Sequence, residues 1–266
     1  MKWHLVLGIT LLAINSCKKT TLKPNVTVYG HAGTALHKDR SVYPPNTLQS
    51  IKNAINILDA EGVEVDVQMT KDSVLVLFHD PYLDYSTKLK GCISNYNFSE
   101  LKNLTIDNSK YKLVSLKTIL ELIQKYNKFI YLDIKSYDFC KASEIRTTTF
   151  KYALNQSMIN IKNDFKNNII LGSKSAEFIE NLDYPNKCFE TTSVYSALTE
   201  ANEHDFKNVL FFLKFITESD KTLLTNININ WGIIGLKDKW TTENAMALKP
   251  NFVITDNIAY AKQLSN

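Results

Sequence analysis

The sequence predicts an α/β chain folded as a (β/α)8 TIM barrel with a small insertion after the second strand. Three observations predict it. Short β-branched or aromatic runs alternate with longer segments of helical period, eight of each can be counted, and the 266-residue chain suits a fold that typically takes about 250 residues. Composition agrees. With 44% hydrophobic and 22% charged residues the chain is too apolar for disorder, and its four Cys are too few for a disulfide scaffold. The net charge is +4 and no Lys/Arg run exceeds two residues, so nucleic acid is not an expected partner. An open doubly wound sheet is the alternative fold, but it usually uses fewer strands and a Gly-rich phosphate loop, which is missing here.

In chain order, Lys2 comes first, followed by an apolar run from Leu5 to Ile14. The run is about half of the ~20 residues needed to cross a bilayer and fits a secretory leader. Ile14, Ser16 and Cys17 resemble a bacterial lipobox, with a plain signal peptide and an incidental Cys as the alternative. On the lipobox reading, residues 1–16 are removed and lipid on Cys17 holds the protein at a membrane in the cell envelope, periplasmic or surface-exposed. Residues 17–25 then form a polar tether containing Pro24.

A single barrel is expected over residues 26–266. Its strands are predicted at Val26–His31, Val63–Gln68, Phe129–Lys135, Asn168–Gly172, Cys188–Thr192, Val209–Lys214, Ile227–Ile234 and Phe252–Thr255. Helices are predicted at Thr47–Asp59, Ser115–Tyr126, Ser143–Lys162, Ser175–Leu182, Tyr195–Glu203, Ser219–Thr225, Thr241–Lys249 and Ile258–Leu264, several opening on a Ser or Thr suited to an N-cap. The run Val74–His79, joined to the second strand by Thr70-Lys71-Asp72-Ser73, reads as a hairpin extension, and about 80–112 as an insertion. Barrels carry function in such loops at the C-terminal face. Cys92, Cys140 and Cys188 show no metal-type spacing and read as buried or semi-buried thiols, at least one of them unpaired.

Polar residues cluster at strand ends. Side chains alternate along a strand, so Glu64, Asp66 and Gln68 share one face. Two carboxylates so close repel each other unless a cation bridges them, and oxygen ligands favour a hard ion, Ca2+ or Mg2+. An exposed hairpin with one solvated face would explain the same pattern. Asp133 and Lys135 again put charge on one face, and His31 and His79 each end a strand. An ion plus two imidazoles can cleave a phosphoester: the ion neutralises phosphoryl oxygens while one His takes a proton and the other gives one.

Taken in order, His31-Ala-Gly33, Pro44-Pro-Asn46-Thr47, Glu64-Val-Asp66 through Asp72, His79-Asp80-Pro-Tyr-Leu83, Phe98-Ser-Glu-Leu101, Leu132-Asp-Ile-Lys135 and Ile254-Thr-Asp256 resemble the glycerophosphodiester phosphodiesterase family. The resemblance runs from about Val28 to the C-terminus and implies the same barrel and insertion. It implies general acid/base roles for His31 and His79, one divalent cation (Ca2+ or Mg2+) on Glu64, Asp66 and Asp133, a phosphate contact for Lys135 and an ordering role for Asn46. The implied reaction hydrolyses a glycerophosphodiester, or a related lipid head group, to sn-glycerol 3-phosphate and an alcohol, in a monomer.

Four positions depart from the family pattern. Ala32 stands where it has a phosphate-contacting Arg, Pro45 where it has Glu, Asp133 where it usually has Glu, and Tyr85 where it usually has Arg. A bidentate guanidinium is not conservatively lost. Lys38 or Arg40 could supply charge instead, although a solvated loop is the plainer account of both. Two alternatives follow: a phospholipase-like enzyme acting on another lipid head group, and a degenerate barrel that binds a phosphorylated ligand without turnover. Trp231, Trp240 and Phe211-Phe212 read as core, with an apolar-tail pocket as the alternative; His37 and His204 have no nameable partners. Asp256 either orients the site or caps the following helix.

Overall fold

Eight strands pair in parallel and close on themselves in a computed structural model that describes residues 26–204, 206–225 and 229–265. The expected leader (1–16), the tether (17–25) and Cys17 lie outside the described residues. In chain order the elements are β1 (Thr27–Gly30), α1 (Leu48–Asn56), β2 (Gly62–Met69), β3 (Leu75–Leu77), α2 (Phe98–Leu101), α3 (Leu116–Tyr126), β4 (Phe129–Ile134), β5 (Tyr137–Asp138), β6 (Ser143–Glu144), α4 (Thr147–Ser157), β7 (Ile169–Ser173), α5 (Ala176–Glu180), β8 (Lys187–Thr191), α6 (Val194–His204), β9 (Asn208–Phe212), α7 (Glu218–Thr225), β10 (Asn230–Leu236), α8 (Lys239–Ala247), β11 (Phe252–Thr255) and α9 (Ile258–Ser265). The barrel runs β1-β2-β4-β7-β8-β9-β10-β11 and closes where β11 pairs with β1.

Period-2 patterning builds this wall. Val63, Val65 and Val67 of β2 are buried outward against helices, together with Ile130, Leu132 and Ile134 of β4 and Ile51, Ile119 and Ile123 from α1 and α3. The inner face is plugged by a second cluster that includes Tyr29, Tyr131, Leu210, Phe252 and Ile254. Rings this large need gaps opposite them. A Cβ on Gly172 would sit 2.1 Å from the Tyr131 hydroxyl, so that position excludes any side chain. The helices start where side chains can accept from a free N–H: Thr47 from Ser50, Ser115 from Thr118, Asp238 from Thr241. No helix among the described residues is long and apolar enough to cross a membrane.

Two elements differ from the expectation. The helix predicted from Ser143 begins at Thr147, because Ser143 and Glu144 pair instead with Asp138 and Tyr137. The thiol reading fails for two cysteines: Cys92 and Cys140 form a disulfide, while Cys188 is free and buried. Spacing could not reveal this pairing, since it joins the insertion to the loop after β4. The insertion has its own small core, Phe78, Leu83, Ile93, Leu101, Ile106 and Leu113, and α2 opens on a capping box between Asn97 and Glu100.

Candidate active site

The C-terminal ends of β1, β2, β3, β4 and β11 bring the charged residues together. Glu64 and Asp66 point into the barrel mouth and are 1% and 2% exposed, which removes the solvated-hairpin alternative. Register sets Asp66 beside Asp133 on the adjacent strand. Carboxylate oxygens of Glu64, Asp66 and Asp133 lie within 4.8 Å of one another. Burial raises the Glu64 carboxyl well above its usual pKa, with Asp66 and Asp133 adding to the effect. Burial opposes ionisation of Asp66 too, but Lys135, His79 and Asn46 outweigh it and hold that group down at about 2. Two buried carboxylates and the partly buried Asp133, one of them reluctant to ionise alone, fit a hard divalent cation.

Neighbours fix each member of this group. Lys135 Nζ lies 2.7 Å from Asp66 Oδ1 and also bonds Asp133. These two carboxylates, Asp133 first, keep the Lys135 ammonium well above its ordinary range despite burial. Asn46 brackets Asp66: its Nδ2 donates to Oδ2 at 2.7 Å, and its Oδ1 accepts from the Asp66 N–H at 3.0 Å. Asn46 adopts φ 60°, a left-handed conformation that Asn tolerates better than most residues. Ala32 is also left-handed (φ 50°) and fully buried, and its N–H donates to Glu64 Oε2 at 2.8 Å. Position 32 therefore serves Glu64 through its backbone.

The two histidines flank the carboxylates in different settings. His31 is buried, with Nδ1 2.9 Å from Asp256 Oδ1. Asp256 also accepts the Leu36 N–H at 3.0 Å and the His37 N–H at 3.3 Å, and bonds the His37 ring. Of the two roles open to Asp256, its side chain takes orientation, and His37 has the partner that sequence alone could not name. His79, after β3, is 41% exposed at its side chain, with Nδ1 3.0 Å from Asp80 Oδ1. That bond raises the His79 pKa above its usual value, burial opposing it. Ser86 donates to Asp80 Oδ2 at 2.7 Å and fixes the pair.

Glu190 on β8 escaped the sequence reading. It is buried, accepts from the Tyr131 hydroxyl at 3.0 Å, and is pushed up to about 8, chiefly by burial and then by Asp133. A lone Glu in the run Cys188-Phe-Glu190-Thr was the available signal. Lys38 and Arg40 do not supply loose charge: Lys38 pairs with Asp107, and Arg40 lies 3.5 Å from Asp39. His204 pairs with Glu180 at 2.9 Å and Glu200 at 3.2 Å, on the outer face.

A cleft of about 780 Å³ opens over His31, His79, Asp66, Asp133 and Lys135. Its far wall is apolar, with Phe212, Ile216, Trp240 and Leu248, and Lys174, Lys214 and Lys237 also line it. Trp231 and Phe211 are core as expected, but Trp240 is 70% exposed at the cleft rim.

A family model described as the glycerophosphoryl diester phosphodiesterase family matches residues 39–223. The chain belongs to that family. A glycerophosphodiester phosphodiesterase of Bacillus altitudinis is 34% identical over 101 residues, 35% of this chain and 41% of the relative. One from Caldanaerobacter subterraneus is 33% identical over 104 residues, covering 37% and 42%. The chain thus spans about two fifths of the length of these curated relatives. Among solved structures, a putative phosphodiesterase of the family from Agrobacterium tumefaciens superposes with TM-score 0.77 at 15% identity, over 90% of this chain and 97% of that one. An Oleispira antarctica phosphodiesterase in complex with the product sn-glycerol-3-phosphate gives 0.76 at 18% identity, over 90% and 96%. At these identities the likeness shows the shared barrel.

Proposed function

We propose that this member of the glycerophosphoryl diester phosphodiesterase family hydrolyses glycerophosphodiesters to sn-glycerol 3-phosphate and an alcohol, with a divalent cation, Mg2+ or Ca2+. One observation carries the reading: Glu64, Asp66 and Asp133 offer oxygens within 4.8 Å of one another, in a cleft also lined by His31 and His79. The three carboxylates would hold the ion, which supplies charge neutralisation at the phosphoryl oxygens when bound.

The chain's own groups move the protons. Asp256 accepts at Nδ1 of His31, so the neutral ring carries its proton there and leaves Nε2 free to accept. His31 Nε2 takes the proton of the glycerol 2-hydroxyl as its oxygen attacks phosphorus. The bond to the alcohol oxygen breaks, and His79, whose pKa the bond to Asp80 raises, gives that oxygen its proton. A cyclic glycerol phosphate remains. Water then attacks phosphorus, His79 takes the water proton, and His31 returns one to the 2-hydroxyl as the ring opens. Lys135 faces the phosphate, Asn46 keeps Asp66 in place, and Lys174 adds a cation to the lining of the same cleft.

A second reading keeps this chemistry and changes the substrate. The apolar wall of Phe212, Ile216, Trp240 and Leu248 favours a phospholipase-like enzyme acting on a lipid with an apolar tail. We further infer a lipid anchor at Cys17 and residence in the cell envelope as a monomer; the Cys92–Cys140 disulfide supports an oxidising compartment.

The test is turnover by the purified chain beginning at Cys17, with sn-glycerol 3-phosphate as the detected product. A chelator is expected to abolish it, and Mg2+ or Ca2+ to restore it. Turnover that persists under chelation overturns the proposal, and products retaining an acyl chain select the second reading.

A further inference from the structure

Among the described residues, the histidines lining the large cleft are His31, His37 and His79, and the proposed mechanism uses only the first and last. His37 lies in the loop between β1 and α1 and shares a carboxylate with His31. Asp256 Oδ1 lies 2.9 Å from His31 Nδ1, while its Oδ2 bonds His37 Nδ1. The same carboxylate accepts the Leu36 and His37 N–H groups at 3.0 and 3.3 Å. A carboxylate offers about four acceptor sites, and here all are taken. Burial opposes ionisation of Asp256, but the bonds from His31, Leu36 and His37 outweigh it and hold the group below its usual pKa.

An ionised carboxylate can only accept, so each ring presents its Nδ1 as an N–H. For His37 this leaves Nε2, which no hydrogen bond engages among the described residues. The ring borders the cleft, and its side chain is 35% exposed. The loop that carries it is held on its far side as well. The Lys38 ammonium pairs with Asp107 of the insertion, and the Tyr43 ring meets the Tyr111 ring edge-on at 5.6 Å. His37 is therefore set in place before a ligand arrives.

A phosphodiester brings a negative charge whose oxygens need donors. Position 32 has no side-chain donor, and its N–H is already given to Glu64. Lys135 divides its charge between Asp66 and Asp133. Lys174 stands over the Phe212 ring on the apolar wall, 5.6 Å from its centroid. His31 and His79 are occupied with the protons of the reaction. A protonated His37 ring would donate at both nitrogens, with Asp256 behind it and a phosphoryl oxygen in front, so that its charge is matched on each side.

We propose that His37 is a substrate-binding residue whose Nε2 donates to a phosphoryl oxygen of the diester. The proposal rests on the phosphodiesterase reading for its substrate, but the contact can be measured without turnover.

Two substitutions separate the nitrogens of the ring. Asn carries its side-chain N–H at the δ position, where it can still serve Asp256, and Gln carries it at the ε position, where it can still reach the phosphate. The chain in Mg2+ is titrated calorimetrically with sn-glycerol 3-phosphate, and thermal unfolding of every variant is recorded alongside. The Kd is expected to weaken about tenfold in His37→Ala and His37→Asn and to return to within about threefold of wild type in His37→Gln, the size of one charge-assisted hydrogen bond. With a glycerophosphodiester as substrate, the losses should follow the same ranking and fall chiefly on KM rather than kcat. The opposite ranking, with Asn restoring and Gln failing, overturns the proposal and leaves His37 as a clamp on Asp256. An unchanged Kd in all three variants overturns it too, as does a wild-type chain that does not bind the phosphate ester. Should His37→Ala fail to fold, the contrast between Asn and Gln still decides. A Kd ranking that holds while the wild-type chain hydrolyses no diester leaves the contact standing and sinks the phosphodiesterase reading instead.

Discussion

On the β1–β4 side of the large cleft, each charged atom is held by another. Asn46 grips Asp66 from two directions, Lys135 spans Asp66 and Asp133, the Ala32 N–H caps Glu64, and Asp256 and Asp80 fix the two imidazoles. The opposite side, from β9 to α8, is a wall of Phe212, Ile216, Trp240 and Leu248 with lysines among them. The first side depends on directional bonds, in which a displacement of an ångström costs a great deal. The second depends on area and shape, which tolerate exchange. On the proposed function, the difference separates where the reaction would be performed from where its substrate would be accommodated.

The sharpest way to break this comparison is to remove a proton carrier. His79→Ala is expected to lower kcat by roughly 10²–10⁴ with little change in thermal unfolding, the usual range for general acid/base catalysis. A variant retaining full kcat would move the chemistry elsewhere. Next in size is a displacement along the pH axis. Asp80 raises the His79 pKa, so wild-type His79 keeps its proton to higher pH, and the rate limb that needs the acid falls only as pH rises through that raised value. Asp80→Asn removes the charge, and the alkaline limb of the pH–rate profile should move to lower pH. An unmoved limb would detach Asp80 from the acid. The smallest effect is expected on the apolar wall, where Trp240→Ala, at an exposed position, should change KM for a short glycerophosphodiester by roughly twofold. A loss as large as that of His79→Ala would erase the distinction between the two sides.

The alternation that builds the barrel is local, so all eight wall strands were legible within a few residues of their observed ends. The acidic pair on β2 was legible for the same reason, because Glu64 and Asp66 share a face whatever surrounds them. Asp133 was legible only by joining that strand to the next. What escaped reading is what barrel closure decides. The orienting role of Asp256 was one of two left open; Asp256 lies 225 residues from His31, and no local pattern names His31 and His37 as its partners. Cys92 and Cys140, 48 residues apart, meet because the insertion folds down beside the loop after β4. Glu190 looked like any charged residue until the neighbouring strands placed it near Asp133 and Lys135. Ala32, read as a missing guanidinium, contributes a backbone N–H made available by its left-handed turn.

The bond between Asp256 and His31 has a consequence for how the protein matures. The orienting carboxylate follows the last strand, whereas the imidazole that it orients follows the first. A nascent chain emerging from the ribosome can assemble most of its cylinder and still leave His31 free to swing. The pairing of His31 with Asp256 therefore waits on the docking of β11 against β1.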